Sequence, residues 1–123
     1  MTVKEAITQT DFIKPNQYDE QAKAKWLSQL DGMIWNEVIS RYGEGEPPGI
    51  YQYPQDAAKE LLVPEPYSDL YIKYLSAQID FSNAEYGRYN NGMMLFNAIY
   101  TAFQNDCRIK YLPKQKNSLK NFC

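Results

Sequence analysis

The sequence predicts an all-α protein: a small helical bundle of about four helices with a C-terminal helical hairpin, one long Gly/Pro loop and a basic C-terminal tail. Three observations predict it. Apolar residues recur at alternating steps of three and four over most of the chain, the spacing that lines one face of an α-helix. The only clear breaker stretch is 43–56, GEGEPPGIYQYPQD, with three glycines and three prolines. The length, 123 residues, is that of one ordinary domain able to bury a core without staples. These divide the chain into a single helical domain, 1–113, and a basic tail, 114–123, expected to be flexible.

Taken in order, Thr2 and Glu5 have the spacing of a capping box and predict a short helix over about 3–11. Pro15 ends it, because proline disfavours helical geometry in the preceding residue. Asn16 or Asp19 then caps a long helix reaching about Tyr42. Its steps 27–30–34–38 make one stripe and 35–39–42 a second, rotated from the first. Between 33 and 39 only Asn36 and Glu37 are polar. A helix so apolar predicts contacts on two sides, the core on one and a second subunit on the other. Trp26, Met33, Trp35, Ile39 and Tyr42 are therefore the candidate subunit-interface residues. In the 43–56 loop, Ile50, Tyr51 and Tyr53 suggest a short extended segment. Pro64 and Pro66 fix the approach to the next helix, with Pro66 expected in its first turn.

The hairpin is predicted over Tyr67–Tyr111. Its first arm carries Tyr67, Leu70, Tyr74, Ala77, Phe81 and Ala84, and a second stripe of Tyr71, Leu75, Ile79 and Tyr86. An arm apolar on so much of its circumference is expected to be central. Gly87 offers a break. The second arm carries Tyr89, Met93, Phe96, Tyr100, Phe103, Cys107 and Tyr111, the strongest periodic signal in the chain, and Pro113 ends it.

Charge and composition bound the function classes. The net charge is −2 and aromatic residues make up 15%, eleven of them tyrosine, a residue suited to half-buried positions and protein interfaces. Residues 42–106 hold nine acids against Lys59, Lys73 and Arg88, whereas 107–123 hold five bases and no acid. Rings in the acidic middle and bases in the tail argue against single-stranded nucleic-acid binding, which needs both in one groove. Lys114, Lys116 and Lys120 are candidates for docking on an acidic neighbour. Two cysteines give no disulfide framework, so synthesis in a reducing cytoplasm is the default. Neither a signal-peptide pattern nor a membrane-length apolar run is present.

No catalytic set emerges. Histidine is absent, which removes the commonest general base and the usual nucleophile pairs. Neither phosphate-cradling glycine motif occurs, and two distant cysteines make no zinc site. Asp80 and Glu85 form a conceivable catalytic carboxylate pair or pair of metal ligands, but their expected role is as solvated or hydrogen-bonded polar residues at the hairpin. Asn83, Asn90, Asn91 and Asn97 are expected to cap helices and bond between them. The expectation is a non-enzyme without cofactor, metal or small-molecule substrate.

Residues 60–103 resemble a family of short proteins encoded in tailed bacteriophages and prophages. Leu61 to Pro64, Tyr71, Tyr74, Ile79, Asp80, Glu85, Tyr86, Tyr89 to Asn91, Met93 or Met94, Phe96 and Asn97 carry the resemblance. Lys25, Trp26 and Leu27 fit it more loosely, and the basic tail matches least. Such proteins resemble head–tail connectors (adaptor, or head-completion, proteins). The resemblance implies a homo-oligomeric ring, commonly of twelve copies, docked on the portal, contacting neck and tail proteins, and passing DNA without sequence-specific binding. It places the protein in the host cytoplasm when made and in the virion when assembled. It defines no catalytic residues. The alternatives are another phage assembly role, such as tail completion or packaging, and a cytosolic helical adaptor binding a partner helix or peptide.

Overall fold

The computed structural model describes residues 1–42 and 45–111, and shows a small all-α bundle of four helical rods. They are α1 (Val3–Ile13), α2 (Glu20–Ile34), α4 (Asp69–Ser82) and α5 (Tyr86–Tyr111). The rod begun by α2 continues through a π-helical turn, Trp35–Ile39, and closes in the short α3, Ser40–Tyr42. The tail candidates Lys114, Lys116 and Lys120, and the side chain of Tyr42, lie outside the described residues.

Local chemistry sets the helix ends. The Thr2 hydroxyl accepts from Glu5 N–H while Glu5 Oε1 accepts from Thr2 N–H, closing the capping box. Asp19, the second of the two expected caps, accepts from Ala22 N–H at the start of α2. The expected start of α4 needs correction. The prolines 64 and 66 sit in a turn of i+3 hydrogen bonds, Tyr67 N–H to Pro64 O and Leu70 N–H to Tyr67 O, and the helix begins two residues after Tyr67.

The hairpin break also moves. Gly87 lies inside α5, and the turn is made instead by Asn83, Ala84 and Glu85. Ala84 adopts φ 59°. Its N–H bonds Phe81 O, and Glu85 N–H bonds Asp80 O, the pair of bonds that closes a helix through a left-handed residue. Such a position favours glycine, and this chain fills it with alanine.

As the sequence predicted, α4 is central, packing against α1, α2 and α5. It meets α5 closely at Gly92, where an added Cβ would stand 3.3 Å from Ala77 Cβ. Phe96, Tyr100, Phe103 and Cys107 of α5 face the core. Phe96 lies 5.4 Å from the ring of Tyr74, and Phe103 5.8 Å from that of Tyr67. Of the first-arm stripe, Phe81 is half exposed and Ala84 is exposed, because both stand at the turn where the bundle ends.

The segment 45–68 is a strap over α2 and the start of α1. Among the described residues it contains no strand, only an isolated bridge between Glu60 and Thr2. It alternates as expected, Ile50 out and Tyr51 fully buried. Its Ala57 and Lys59 carbonyls accept from the first N–H groups of α1, Lys4 at 2.9 Å and Val3 at 3.0 Å. The strap thereby satisfies helix donors that have no partner within α1.

Candidate functional site

The π turn decides the fate of the proposed subunit interface. Ser40 N–H reaches back five residues to Trp35 O, so one extra residue fits into the turn. Ile34, Trp35, Val38 and Ile39 all point inward as a result, and none is more than 9% exposed. Trp35 and Ile39 are thus core residues, not interface residues. The stripe 27–30–34–38 and, of the second stripe, Trp35 and Ile39 are buried inside one subunit. Trp26 packs on the edge of the core, its ring 5.9 Å from that of Tyr18. Met33, 36% exposed, is the most exposed of the described candidates.

Beneath the strap lies a buried polar hub that the sequence reading missed. Asp31 is fully buried on α2. Its Oδ2 accepts from the Tyr51 hydroxyl at 2.6 Å and from Leu62 N–H at 3.2 Å, and its Oδ1 from the Tyr71 hydroxyl at 2.6 Å. The Tyr71 oxygen in turn accepts from Val63 N–H at 2.8 Å. One carboxylate therefore ties α2, both passes of the strap, and α4. Burial pushes the Asp31 carboxyl above its ordinary range, with the two tyrosine hydrogen bonds opposing. Burial, reinforced by the Asp31 charge, pushes both hydroxyls further up. The only signal in the sequence was an acid directly after Leu30 of the stripe 27–30–34. A saturated, buried carboxylate of this kind organises structure.

The polar residues at the hairpin end are engaged with one another rather than assembled into a reactive set. Lys14 Nζ contacts both oxygens of Asp80, at 2.6 and 2.8 Å. Lys23, buried on α2, reaches Asp11 at 2.7 Å, and Asn16 donates to the same oxygen. The Tyr18 hydroxyl donates to Asn83 at 2.7 Å. Glu85 pairs with Arg88 at 3.3 Å, so Asp80 and Glu85 serve different partners. Asn90, Asn91 and Asn97 are exposed on α5. A polar cleft of about 480 Å³ opens beside this end, lined by Pro15 to Tyr18 and Asn83. Among the described residues no group of His, Cys, Asp and Glu is placed to hold a metal, and no helix is long and apolar enough to cross a membrane.

Surface apolarity is the remaining feature; besides Met33 on α2 and Ile50 on the strap, it gathers in two places among the described residues. Phe12 (86% exposed), Ile13, Phe81 and Tyr86 gather at the hairpin end, held together by the Lys14–Asp80 pair and the contact of Phe81 with Tyr86. On the outer face of α5, Met94 is 70%, Leu95 55% and Ile109 69% exposed. Ala98 and Ala102 are exposed between them. No charged residue occurs between Arg88 and Asp106, so this face is uncharged over five turns. The periodicity of α5 in the sequence marks only its core side; the gap in charge, equally legible there, marks the outer one. The chain matches no protein-family model, no curated protein and no solved structure.

Proposed function

We propose that this protein is a structural assembly subunit, and specifically a head–tail connector protein of a tailed bacteriophage or prophage. The observation that carries assembly is the exposed apolar surface in two separate places, the hairpin end and the outer face of α5. A small domain that leaves Phe12, Met94 and Ile109 in water has surfaces that gain by being covered. Two distinct patches let one copy meet two different neighbours, which ring and neck assemblies require. The connector assignment rests on the resemblance of residues 60–103. That segment comprises the end of the strap and most of the α4–α5 hairpin. The strap with its buried anchor and the polar contacts at the turn are both consistent with a scaffold and contribute no reactive group.

On this reading the protein acts by surface complementarity, with the portal and neck proteins as partners and no chemical step. The test is direct. The gene should lie among virion structural genes, and the protein mixed with the portal encoded beside it should co-sediment as rings visible by electron microscopy. A chain that neither binds that portal nor lies near virion genes is not a connector. One observation favours a helical adaptor instead: an apolar groove of about 480 Å³ along α2, lined by Gln21, Ala22, Lys25, Ser28, Gln29 and Ile50. A monomer that binds a peptide there, and loses it on Ile50→Asp, would support that alternative.

A further inference from the structure

We infer that the outer face of α5 pairs with the same face of a second copy, the two helices running antiparallel. The face is uncharged from Asn90 to Asn105, with Met94 and Leu95 near its middle, the small Ala98 and Ala102 in the next turns, and Ile109 about one turn beyond it. The small Ala98 and Ala102 let two helices approach closely, while Met94 and Leu95 beside them overlap the partner's backbone.

Charge identifies the occupant. The uncharged stretch is bounded by opposite charges, Arg88 and Asp106, eighteen residues apart. That separation is five turns at 3.6 residues each, so both lie on the same flank of the helix, about 27 Å apart. A two-fold axis perpendicular to α5 at Asn97 sets Arg88 of one copy beside Asp106 of the other, on that same flank, at both ends of the pair. Each charge already has a local partner of opposite sign, Glu85 for Arg88 at 3.3 Å and Lys110 for Asp106 at 3.1 Å. The pairing therefore builds two rows of alternating sign, Glu85–Arg88 of one copy against Asp106–Lys110 of the other. A parallel pair would instead bring like charges to the same level, and the antiparallel arrangement also opposes the helix dipoles.

A single helix face of this length is smaller than the roughly 800 Å² per partner of a standard interface, so the dimer is expected in the micromolar range. The contact is self-satisfying and leaves the patch around Phe12 and Phe81 free for a different neighbour. It uses the α5 face that the connector reading gives to a neighbour, so the dimer is a state of the free subunit that ring assembly would displace. Dimerisation of the subunit alone is measured separately from ring formation on a portal.

Sedimentation equilibrium of the full chain between about 1 and 200 µM is the test, the range set by the expected affinity. The wild type should dimerise. Leu95→Glu should be monomeric, and so should Ala98→Glu, the second variant that guards against a local effect of the first; circular dichroism should show both fully helical. Arg88→Glu and Asp106→Arg should each weaken the dimer by about tenfold, as loss and reversal of two exposed pairs implies. The double variant should recover most of that loss, because the swapped charges meet again across the axis. A wild type that stays monomeric throughout overturns the pairing, as does a dimer unaffected by Leu95→Glu. A double variant no tighter than either single one overturns the antiparallel register.

Discussion

The rod built on α2 and the helix α5 are both apolar on two sides, yet the fold treats them in opposite ways. The α2 rod turns the described residues of both stripes inward, using the π turn at Trp35–Ile39 to bring Ile34, Trp35, Val38 and Ile39 onto one buried surface. α5 buries Phe96, Tyr100, Phe103 and Cys107 and leaves Met94, Leu95 and Ile109 in water. What separates them is coverage. The strap and its Asp31 hub close over α2, whereas nothing among the described residues covers the outer face of α5. Apolar periodicity reports that a surface is suited to burial, and the tertiary arrangement decides whether the chain itself supplies the cover.

The largest effects should come from the buried side of this comparison. Trp35→Glu places a charge in the core and should unfold the subunit outright, a loss on the order of 5 kcal/mol or more. Retention of a normal melting curve would return Trp35 to the list of interface residues. Phe103→Ala, at a fully buried ring packed on Tyr67, should cost about 3–5 kcal/mol by chemical denaturation. A loss below about 1 kcal/mol would mean that the hairpin is packed the other way round.

The hub should be less costly to disturb and should carry a pH signature. Asp31→Asn replaces one acceptor oxygen with a donor facing groups that already donate, and should cost about 2 kcal/mol. The sign of the pH effect follows from the raised pKa of Asp31. Between its ordinary and its raised value the folded state holds more proton than the unfolded state. The stability owed to this group is therefore greatest at acid pH and falls as pH rises through that window. Asn does not titrate, so the deficit of Asp31→Asn relative to wild type should narrow as pH rises through the same window. A deficit that widens with pH would mean that the carboxyl is held below its ordinary range.

Two smaller effects complete the series. Ala84→Gly relieves a left-handed backbone and should stabilise by about 0.5–1 kcal/mol, net of the greater freedom of glycine in the unfolded chain. Leu95→Glu, on the open face of α5, should move stability by no more than about 0.5 kcal/mol. An equal sensitivity of Leu95 and Trp35 would erase the distinction between the two helices.

Much of the architecture was legible in the chain alone. The capping box at Thr2 and Glu5, the cap at Asp19, the central place of α4 and the inward stripe of α5 all follow from local hydrogen-bonding chemistry and a 3.6-residue period, which act over a few residues and leave a mark at each one. The connector role and the ring belong to the resemblance of residues 60–103 and remain proposals. The helix-breaking point was misplaced at Gly87, because a left-handed residue is expected to be glycine and here is Ala84. The burial of Trp35 and Ile39 was not legible, since a π turn changes which residues share a face without changing the sequence pattern that suggests a straight helix. Nor was the hub. Asp31 meets Tyr51, Leu62 and Tyr71 only after the strap has crossed α2, and contacts across 20, 31 and 40 residues leave no periodic trace. The sequence by itself determined where helices form and which residues prefer to leave water. Only the tertiary structure decided which of those preferences the chain satisfies from within, because that depends on which segments of one folded chain lie over which faces.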